Sequence, residues 1–509
     1  RGDRARGAMS TGQDGGGKER GPGGAGPGRG AGSGGRGKSR WPGRGTGTRQ
    51  SAGPTAPRVI AIRVLERVQR AGAYADLALH HALVQSRMPA ADRALATELV
   101  YGTLRWRGRL DYLLGRALDR DLAKLEPLVL TALRVGAYQL CFSDRIPDNA
   151  AVDEAVRCVR ALGLERATGL VNAVLRRLAR EWREYALPEL ASDPLAHLVQ
   201  ACSLPEWLAE RWLEQYGPEQ AATLALSMNE PAPLTVRVNR TRTTREAISA
   251  SLRERFPDTT TCRWAPDGLV LGRKGDVGRD EAFLAGEISV QDEASQLVVH
   301  LLDPQRGERI LDACAAPGTK TAAIAERLAG EGHVLAIDRH PGRLRLIGRG
   351  MRRLGLGGVA TLERDATKSL TDLVGEEHGP AFDRVLVDAP CSGLGALRRN
   401  PDARWRLRAE DLPALAKVQR QLLESTAAVL RPGGSLVYST CTVTPEENEQ
   451  VVRGFLATRA SWRIASRDEA PESMRELVDD EGFMRLLPHR HDTDGFFAVR
   501  LVRGEKSGQ

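Results

Sequence analysis

The C-terminal half of the chain is organised around Arg309-Ile-Leu-Asp-Ala-Cys-Ala-Ala-Pro-Gly-Thr-Lys-Thr321. The run Arg309–Ala313 is typical of a buried strand, and the small residues after it predict a turn that leads into a helix. In an open α/β sheet, such a turn after the first strand lets the backbone approach a ligand where the strand order reverses. This stretch therefore predicts a sheet and a ligand site at its edge.

Apolar runs and helical patterns alternate on both sides of this stretch, over residues 301–503. The predicted strands are Arg309–Ala313, His333–Asp338, Ala360–Glu363, Arg384–Asp388 and Ser435–Ser439. This alternation is typical of a doubly wound, Rossmann-like α/β domain with a parallel sheet. We therefore expect the carboxyl ends of the strands to meet at one edge, where a cofactor would bind.

The rest of the chain differs in pattern from this region and predicts a multidomain protein. Residues 1–57 hold 20 of the 54 glycines and few large apolar residues, so they cannot offset the entropy of ordering. Apolar residues then recur at helical spacing, and further on they form short alternating runs. The predicted order is a disordered Gly/Arg-rich tail over 1–57, an all-α domain over 58–190, a helical linker over 191–225, a small α+β module over 226–300 and the α/β domain over 301–503.

Charge and cysteine content exclude several classes of protein. The formal net charge is +9, and residues 1–57 contribute +8 of it, so the rest of the chain is close to neutral. A nucleic-acid surface must then come from the arrangement of charge rather than from its sum. No apolar run reaches the roughly 18 residues that a transmembrane helix needs. Seven cysteines without a CxxC pair argue against a disulfide scaffold and a zinc ribbon, and predict a cytoplasmic protein without a metal site.

Acidic residues follow three of the predicted strands, at the edge where the turn 314–320 would lie. Asp338 ends the second strand, 20 residues past Gly318, and can accept hydrogen bonds from ribose hydroxyls. Asp365 follows the third strand and suits an adenine amino group, and Asp388 ends the fourth. This ordered set predicts a nucleoside cofactor. A dinucleotide is disfavoured because the turn lacks G-x-G-x-x-G, and the Walker A spacing is also missing.

Two cysteines, Cys391 and Cys441, each come just beyond a predicted buried strand and are expected to face the same crevice as the cofactor. A cysteine thiolate can add to C6 of a pyrimidine, which turns C5 into a nucleophile for an activated methyl group. One cysteine would attack, and the other would assist breakdown of the adduct. The chemistry alone does not say which cysteine takes which role.

Three motifs around these residues resemble those of the Sun/Nol family of RNA 5-methylcytosine methyltransferases. The motifs are DACAAPGTKT at 312–321, VDAPCSGLG at 387–395 and YSTCTVTPEENE at 438–449. The helical segment is similar to NusB-type domains through DRAL and ELVYG within 92–102 and through NAAVDEA at 149–155. The combination resembles the RsmB-like members of the family over about residues 58–503.

The resemblance implies a role for each of these residues. Cys441 would be the nucleophile on cytosine C6, and Cys391 would promote release of the methylated product. Asp388 would hydrogen-bond the cytosine at N3 and at its amino group, and Lys320 would support that carboxylate. The cofactor S-adenosylmethionine would be held by Cys314, Ala315, Ala316, Pro317, Gly318, Thr319, Lys320, Asp338, Asp365 and Asp388.

Thr319 departs from the family pattern, which usually has a second glycine at this position. A β-branched residue tolerates a positive φ poorly. Either the turn is α- or β-like at Thr319, or the affinity for the cofactor is altered. We expect no loss of activity in either case.

The resemblance also implies an RNA partner, most simply small-subunit (16S) ribosomal RNA. A single active site per chain favours a monomer, and neither DNA nor a membrane is an expected partner. The target base would be unstacked to reach the pocket. Basic residues of the small module would either meet phosphates or lie on a solvated strand edge, and they are Arg237, Arg240 and Arg242. Contacts to the RNA backbone are expected from the loop residues Arg398, Arg399 and Asn400.

Two other functions stay open. The chain could be a non-catalytic RNA-binding or assembly factor with a degenerate methyltransferase fold, or it could perform the same chemistry on transfer RNA or DNA. The intact set Lys320, Asp388, Cys391 and Cys441 argues against the first function. The Thr-Cys motif disfavours DNA, and the NusB-like segment favours ribosomal over transfer RNA by analogy alone.

Overall fold

The computed structural model describes residues 55–272, 276–376 and 379–505. The disordered tail predicted over residues 1–57 lies outside the described residues, apart from residues 55–57, where the first helix begins. In the part of the chain that is described, no helix is both long and apolar enough to cross a membrane.

The N-terminal domain is all-α, as predicted. Its helices are α1 (Ala56–Ala71), α2 (Ala75–Gln85), α3 (Ala90–Arg105), α4 (Arg107–Ala117), α5 (Pro127–Phe142), α6 (Asp148–Ala161) and α7 (Thr168–Glu181). The central helix α5 is buried along residues 129–140 and packs against five of the others. The close approach of α5 to α7 depends on Gly136, because a Cβ at this position would lie 2.5 Å from the Leu175 side chain of α7.

A helical connection and a small α+β module follow. The helices of the connection are α8 (Pro194–Ala196), which continues into a π-helical turn at His197–Ala201, α9 (Glu206–Tyr216) and α10 (Pro218–Ser227). The module comprises β1 (Thr235–Val238), α11 (Arg245–Arg255), β2 (Thr260–Thr261), β3 (Gly268–Val270), α12 (Glu281–Leu284) and β4 (Ile288–Val290). Its strands form an antiparallel sheet in the order β2-β3-β1-β4.

The C-terminal domain contains a large sheet between helices. Its elements are α13 (Glu293–Leu302), β5 (Arg309–Ala313), α14 (Thr319–Leu328), β6 (His333–Asp338), α15 (Pro341–Leu354), β7 (Val359–Glu363), β8 (Phe382–Asp388), α16 (Ala403–Arg406), α17 (Asp411–Ala427), β9 (Leu430–Thr440), α18 (Glu449–Leu456), β10 (Trp462–Ile464), β11 (Phe483–Leu486), α19 (Pro488–His491) and β12 (Phe496–Arg503). All five predicted strands are present. The domain boundaries proposed at residues 190, 225 and 300 stay a prediction.

The sheet is parallel only in part, which corrects the prediction of a parallel sheet. The strand order is β7-β6-β5-β8-β9-β12-β10, with β11 also paired to β12. The first five strands in this order run parallel. Strand β12 is antiparallel to β9, β10 and β11, because the chain returns from β11 through a short turn and not through a crossover helix. The alternating pattern of the sequence did not distinguish these last strands from the others.

Arg237 ties the small module to the C-terminal domain. Its side chain is 3% exposed and donates to both carboxylate oxygens of Glu326 in α14, at 2.9 and 2.7 Å. It also donates to the Thr319 carbonyl at 3.0 Å. Both readings predicted for Arg237, phosphate contact and solvated strand edge, are therefore wrong. Arg242 also makes an internal contact, to the Leu354 carbonyl at 2.8 Å, whereas Arg240 lies at the surface.

Residues 398–406, here called the junction segment, connect the domains. Arg398 is 3% exposed, and its carbonyl accepts a hydrogen bond from Arg105 of α3 at 3.0 Å. Arg399 forms ion pairs with Asp292 at 2.8 Å and Asp494 at 2.6 Å. The predicted RNA-backbone contacts of Arg398 and Arg399 are therefore wrong, because both guanidinium groups are engaged within the protein. Their partners lie far away in sequence, which is why a local loop pattern could not identify them.

The C-terminal part of the junction segment inserts two large side chains between the domains. Arg404 is fully buried and donates to Asn229 Oδ1 at 2.8 Å and to the Ser203 carbonyl at 3.1 Å. Trp405 donates from its indole N–H to the Leu104 carbonyl at 2.6 Å. The helical domain, the helical connection and the C-terminal domain thus meet on one short segment.

Truncation of Arg404 tests this junction. We expect Arg404→Ala to lower the free energy of unfolding by about 3 kcal/mol, because buried carbonyl and amide acceptors lose their donor. Chemical denaturation monitored by circular dichroism measures the change. Arg408→Ala, an exposed arginine just past the same segment, should change the free energy by less than about 0.5 kcal/mol. Equal stability of the two variants would contradict a structural role for Arg404.

Candidate active site

The carboxyl ends of the parallel strands form a crevice lined with carboxylates. In spatial order, β7, β6, β5 and β8 are neighbours. An acidic residue lies at or near the carboxyl end of each of these strands. These residues are Asp365, Asp338, Asp312 and Asp388. Three of these were predicted from the sequence. Asp312 was not, because it lies within the strand and is 1% exposed.

The turn between β5 and α14 has the backbone geometry that close ligand approach requires. Cys314 and Gly318 have positive φ values of 69° and 102°. A Cβ on Gly318 would lie 3.1 Å from the Ile347 side chain, so glycine at this position lets α15 pack closely against the turn. Thr319 is the first residue of α14 and is helical, which confirms the α-like alternative for this position.

Two turns present carboxylates with unused acceptor capacity. Asp338 is 5% exposed, and its Oδ1 accepts from the His340 backbone N–H at 2.9 Å. Its Oδ2 has only Arg343, at 3.8 Å. Asp365 Oδ1 accepts from the Thr367 hydroxyl at 2.7 Å and its N–H at 3.0 Å, which lowers the pKa of this carboxyl. One oxygen of each group is left for a donor such as a ribose hydroxyl or an adenine amino group, so the crevice fits a nucleoside.

Cys314 lies in the same turn and is partly buried. Burial, and to a smaller extent the nearby carboxylates, raises the pKa of its thiol to about 12. This shift favours the neutral thiol. The place of Cys314 in the turn leaves its predicted role in holding the cofactor a prediction.

An ion pair lies at the end of β8. Lys320 Nζ donates to Asp388 Oδ2 at 2.8 Å, and the Ser439 hydroxyl donates to Asp388 Oδ1 at 2.9 Å. The ammonium group also lies 5.4 Å from the centre of the Phe496 ring. The lysine that the sequence analysis placed beside this carboxylate is therefore in contact with it. The carboxylate is held from two sides and stays partly exposed to the crevice.

Cys391 and Cys441 face each other across the ends of β8 and β9. Their Sγ atoms lie 3.4 Å apart. The hydrogen bond to Cys441 raises the pKa of the Cys391 thiol well above its usual value, and burial and the charge of Glu447 raise it further. These causes favour the protonated form of the Cys391 thiol.

Glu447 holds the loops of both cysteines, and the sequence analysis did not single it out. The side chain is fully buried and accepts from the Ser392 N–H at 2.8 Å, from Gln419 at 2.9 Å and from Thr444 at 2.8 Å. It also accepts from the Ser392 hydroxyl, which contacts Thr442, the residue after Cys441. The sequence feature that could have identified Glu447 is the acidic pair Glu446-Glu447, which follows a buried strand and Cys441.

The arrangement joins two kinds of chemistry at one sheet edge. A crevice whose carboxylates could bind a nucleoside lies over β5, β6 and β7, and a pair of thiols lies over β8 and β9 beside an ammonium–carboxylate pair. Such a set can add a thiolate to an unsaturated ring while hydrogen bonds polarise that ring. Among the residues that the structure describes, no cluster of three or more His, Cys, Asp or Glu could hold a metal ion.

Sequence models of known families match three parts of the chain. The model described as 16S rRNA methyltransferase RsmB/F matches residues 299–502. The NusB family matches residues 55–180, and the ferredoxin-like domain of RsmF/B-like methyltransferases matches residues 204–278.

Whole-chain comparisons give the same picture. The chain is 36% identical over 451 residues to a Bacillus subtilis protein called "Probable ribosomal RNA small subunit methyltransferase B", covering 88% of this chain and 98% of that one. It is 38% identical over 447 residues to the Vibrio vulnificus "Ribosomal RNA small subunit methyltransferase B", covering 88% and 99%. The crystal structure of PH0851 is similar, with a TM-score of 0.71 and 28% identity over 88% of this chain and 99% of that one.

The buried charge of Glu447 can be tested through the reactivity of Cys391. In a Cys441→Ser background, we expect Glu447→Gln to lower the pH midpoint of Cys391 alkylation by about one unit, because a like charge no longer opposes the thiolate. Mass spectrometry of iodoacetamide-treated protein measures the rate at each pH.

The matched control is Glu449→Gln in the same background. Glu449 is close in sequence but pairs with Arg485, so its replacement should leave the midpoint unchanged. An unchanged midpoint in the folded Glu447→Gln protein would show that Glu447 does not act on Cys391.

Proposed function

The chain belongs to the RsmB/F family of 16S rRNA methyltransferases, and from this premise we propose that it methylates C5 of a cytosine in small-subunit ribosomal RNA through a covalent adduct. One observation carries the proposal of a covalent route. Two thiols lie 3.4 Å apart beside an ammonium–carboxylate pair, at the strand edge that also carries the nucleoside site.

The methyl donor of this family is S-adenosylmethionine, which supplies an electrophilic methyl group on its sulfonium sulfur. The turn 314–319 would hold the cofactor through its backbone. We propose that Asp338 accepts from the ribose hydroxyls, and that Asp365 accepts from the adenine amino group. The free acceptor oxygens of these two carboxylates support the proposal, since each can take one further donor.

Cys441 is proposed as the nucleophile. It would add its electron pair to cytosine C6, and the ring electrons would move to N3, which would take a proton donated by the Asp388 carboxyl group. Lys320 supports Asp388 at 2.8 Å and keeps it oriented to the ring. The activated C5 then takes the methyl group. The raised pKa of Cys391 supports this assignment, because a thiol that keeps its proton is a poor attacking group.

Cys391 is proposed to promote release of the product. A base from the solvent would take the C5 proton, and the electron pair of that C–H bond would re-form the C5–C6 double bond as the bond between Cys441 and C6 breaks and leaves a thiolate. N3 would return its proton to Asp388. The protonated Cys391 thiol, with its sulfur 3.4 Å away, can hydrogen-bond that thiolate as it departs. Glu447 positions the Cys391 loop for this step through Ser392.

The RNA target is proposed from the relatives that the chain matches over almost their whole length. We further propose that the protein acts as a monomer in the cytoplasm, where ribosomal RNA is found. A non-catalytic assembly factor is disfavoured, because the lysine, the carboxylate and both cysteines are assembled in contact. Methylation of transfer RNA by the same chemistry is the second candidate, and the NusB-like domain favours ribosomal RNA over it.

A covalent trap tests the two cysteine roles. We expect Cys391→Ala, incubated with S-adenosylmethionine and unmethylated small-subunit ribosomal RNA, to accumulate a protein–RNA adduct, because release of Cys441 is slowed. The adduct is measured as a species that survives denaturing electrophoresis. Cys391→Ala/Cys441→Ala should give none, and Cys141→Ala in the helical domain should behave as wild type.

The possible outcomes of the trap separate the functions. An adduct that persists without Cys441 would reverse the assignment of the nucleophile. No adduct and no methyl transfer to ribosomal RNA, transfer RNA or DNA by the wild type would favour the assembly factor.

The ion pair at Asp388 gives a second test. We expect Lys320→Met to lower kcat for RNA methylation about 100-fold, because the carboxylate that polarises the ring loses its support. The KM for RNA should change less than about threefold. Steady-state transfer of labelled methyl groups measures both constants, and the exposed Lys368→Met is the control. A raised KM with an unchanged kcat would contradict a role in the chemical step.

A further inference from the structure

A cavity lies where the helical domain meets the junction segment, away from the crevice of the sheet. Its volume is about 370 Å³. Here it is called the junction pocket, and its walls include Arg70, Arg107, Arg134, Trp405, Arg406 and Arg408. No carboxylate other than Asp402 lines it. The pocket is therefore strongly basic in its lining, although the folded part of the chain is nearly neutral.

The positive charge of the pocket is only partly balanced. Three of its arginines have ion-pair partners, which are Glu66 for Arg70 at 2.9 Å, Asp111 for Arg134 at 2.6 Å and Asp402 for Arg406 at 3.6 Å. Within the part of the chain that the structure describes, Arg107 pairs only with Asp111, at 3.9 Å, and that carboxylate is already engaged by Arg134. Arg408 makes no side-chain ion pair with any described residue. Two guanidinium groups are thus left for an external anion.

Arg107 is held so that it can face such an anion. Its guanidinium lies over the Trp405 ring, 4.9 Å from the ring centre, and Trp405 is anchored by its hydrogen bond to Leu104. Burial and the neighbouring charge of Arg134 together lower the pKa of Arg107 to about 10. A cationic group in this position gains stability when a negative group enters the pocket.

We propose that the junction pocket binds a phosphodiester group of the RNA substrate, as a contact separate from the catalytic crevice. The proposal rests on the proposed function for the identity of the polymer. A guanidinium fork matches the geometry of a phosphate group, and phosphate contacts position a nucleic acid without depending on its sequence. The junction segment belongs to the same loop region that carries Cys391, so RNA bound here is held close to the reacting part of the chain.

The test compares binding and turnover in charge-removing variants. We expect Arg107→Gln/Arg408→Gln to weaken the affinity for unmethylated ribosomal RNA about tenfold at moderate salt. The slope of log affinity against log salt should become less steep by about one, as loss of one phosphate contact predicts. At saturating RNA, kcat should stay within about twofold of wild type, because the crevice is untouched. Arg408→Gln alone, at an exposed side chain, should give a weaker change of the same kind.

The matched control removes the same charge at the opposite end of the sheet. Arg306 and Arg431 lie at the amino ends of β5 and β9, and each makes a surface ion pair. Arg306→Gln/Arg431→Gln should leave the affinity and the salt slope at the wild-type values. Circular dichroism confirms that every variant is folded before binding is measured.

Inorganic phosphate distinguishes an RNA site from a site for a free anion. If phosphate raises the melting temperature of the wild type but not of Arg107→Gln/Arg408→Gln, and RNA affinity is equal in both, the pocket binds a free anion and the RNA proposal is overturned. If the wild type and Arg107→Gln/Arg408→Gln have equal RNA affinity and equal salt slopes, and phosphate does not change the melting temperature of either protein, the junction pocket is not an anion site. If the variant loses RNA affinity while the wild type transfers no methyl group, the pocket stands and the proposed function fails. If both proteins transfer methyl groups and bind RNA with equal affinity, the proposed function stands and the pocket proposal fails.

Discussion

Parallel strands must all end at the same edge of their sheet, and this constraint organises the whole C-terminal domain. The loops after β5, β6, β7, β8 and β9 are brought together, although they come from separate parts of the sequence. A nucleoside site and a pair of thiols therefore become neighbours without any dedicated contact between them. The helical connection and the small module pack around this edge and stabilise the loops, as Arg237 does at the start of α14.

Electrostatics gives two chemically identical side chains different properties. Cys391 and Cys441 touch, but Cys391 is also surrounded by buried structure and lies beside the carboxylate of Glu447. A buried negative charge opposes a second one, so the protonated thiol is favoured on one side of the pair. The same carboxylate accepts several hydrogen bonds from the two loops, which keeps the sulfur atoms in contact. Glu447 thus helps to hold the two loops together and adds to the effects of Cys441 and burial on the pKa of the Cys391 thiol.

The sequence was sufficient where a feature depends on nearby residues. The predicted strands, the glycine turn and the two cysteines follow from apolar runs and short motifs, and the structure has them in place. Arg237 and Arg399 were misassigned as surface groups because their partners, Glu326 and Asp494, are 89 and 95 residues away. Glu447 was missed for a related reason, since its burial comes from the packing of β9 against α17. Local sequence patterns identify charged residues, but tertiary packing determines whether their side chains are exposed to solvent.

The junction segment has a consequence for how the chain is made. Leu104 and Trp405 are in contact, although 301 residues separate them in the sequence. During synthesis the helical domain is complete long before residue 405 leaves the ribosome, because domains fold in order from the N-terminus. Its docking face therefore stays uncovered while residues 182–405 are synthesised. A nascent chain with the helical domain already folded and the C-terminal part still missing exposes the face against which Trp405 later packs.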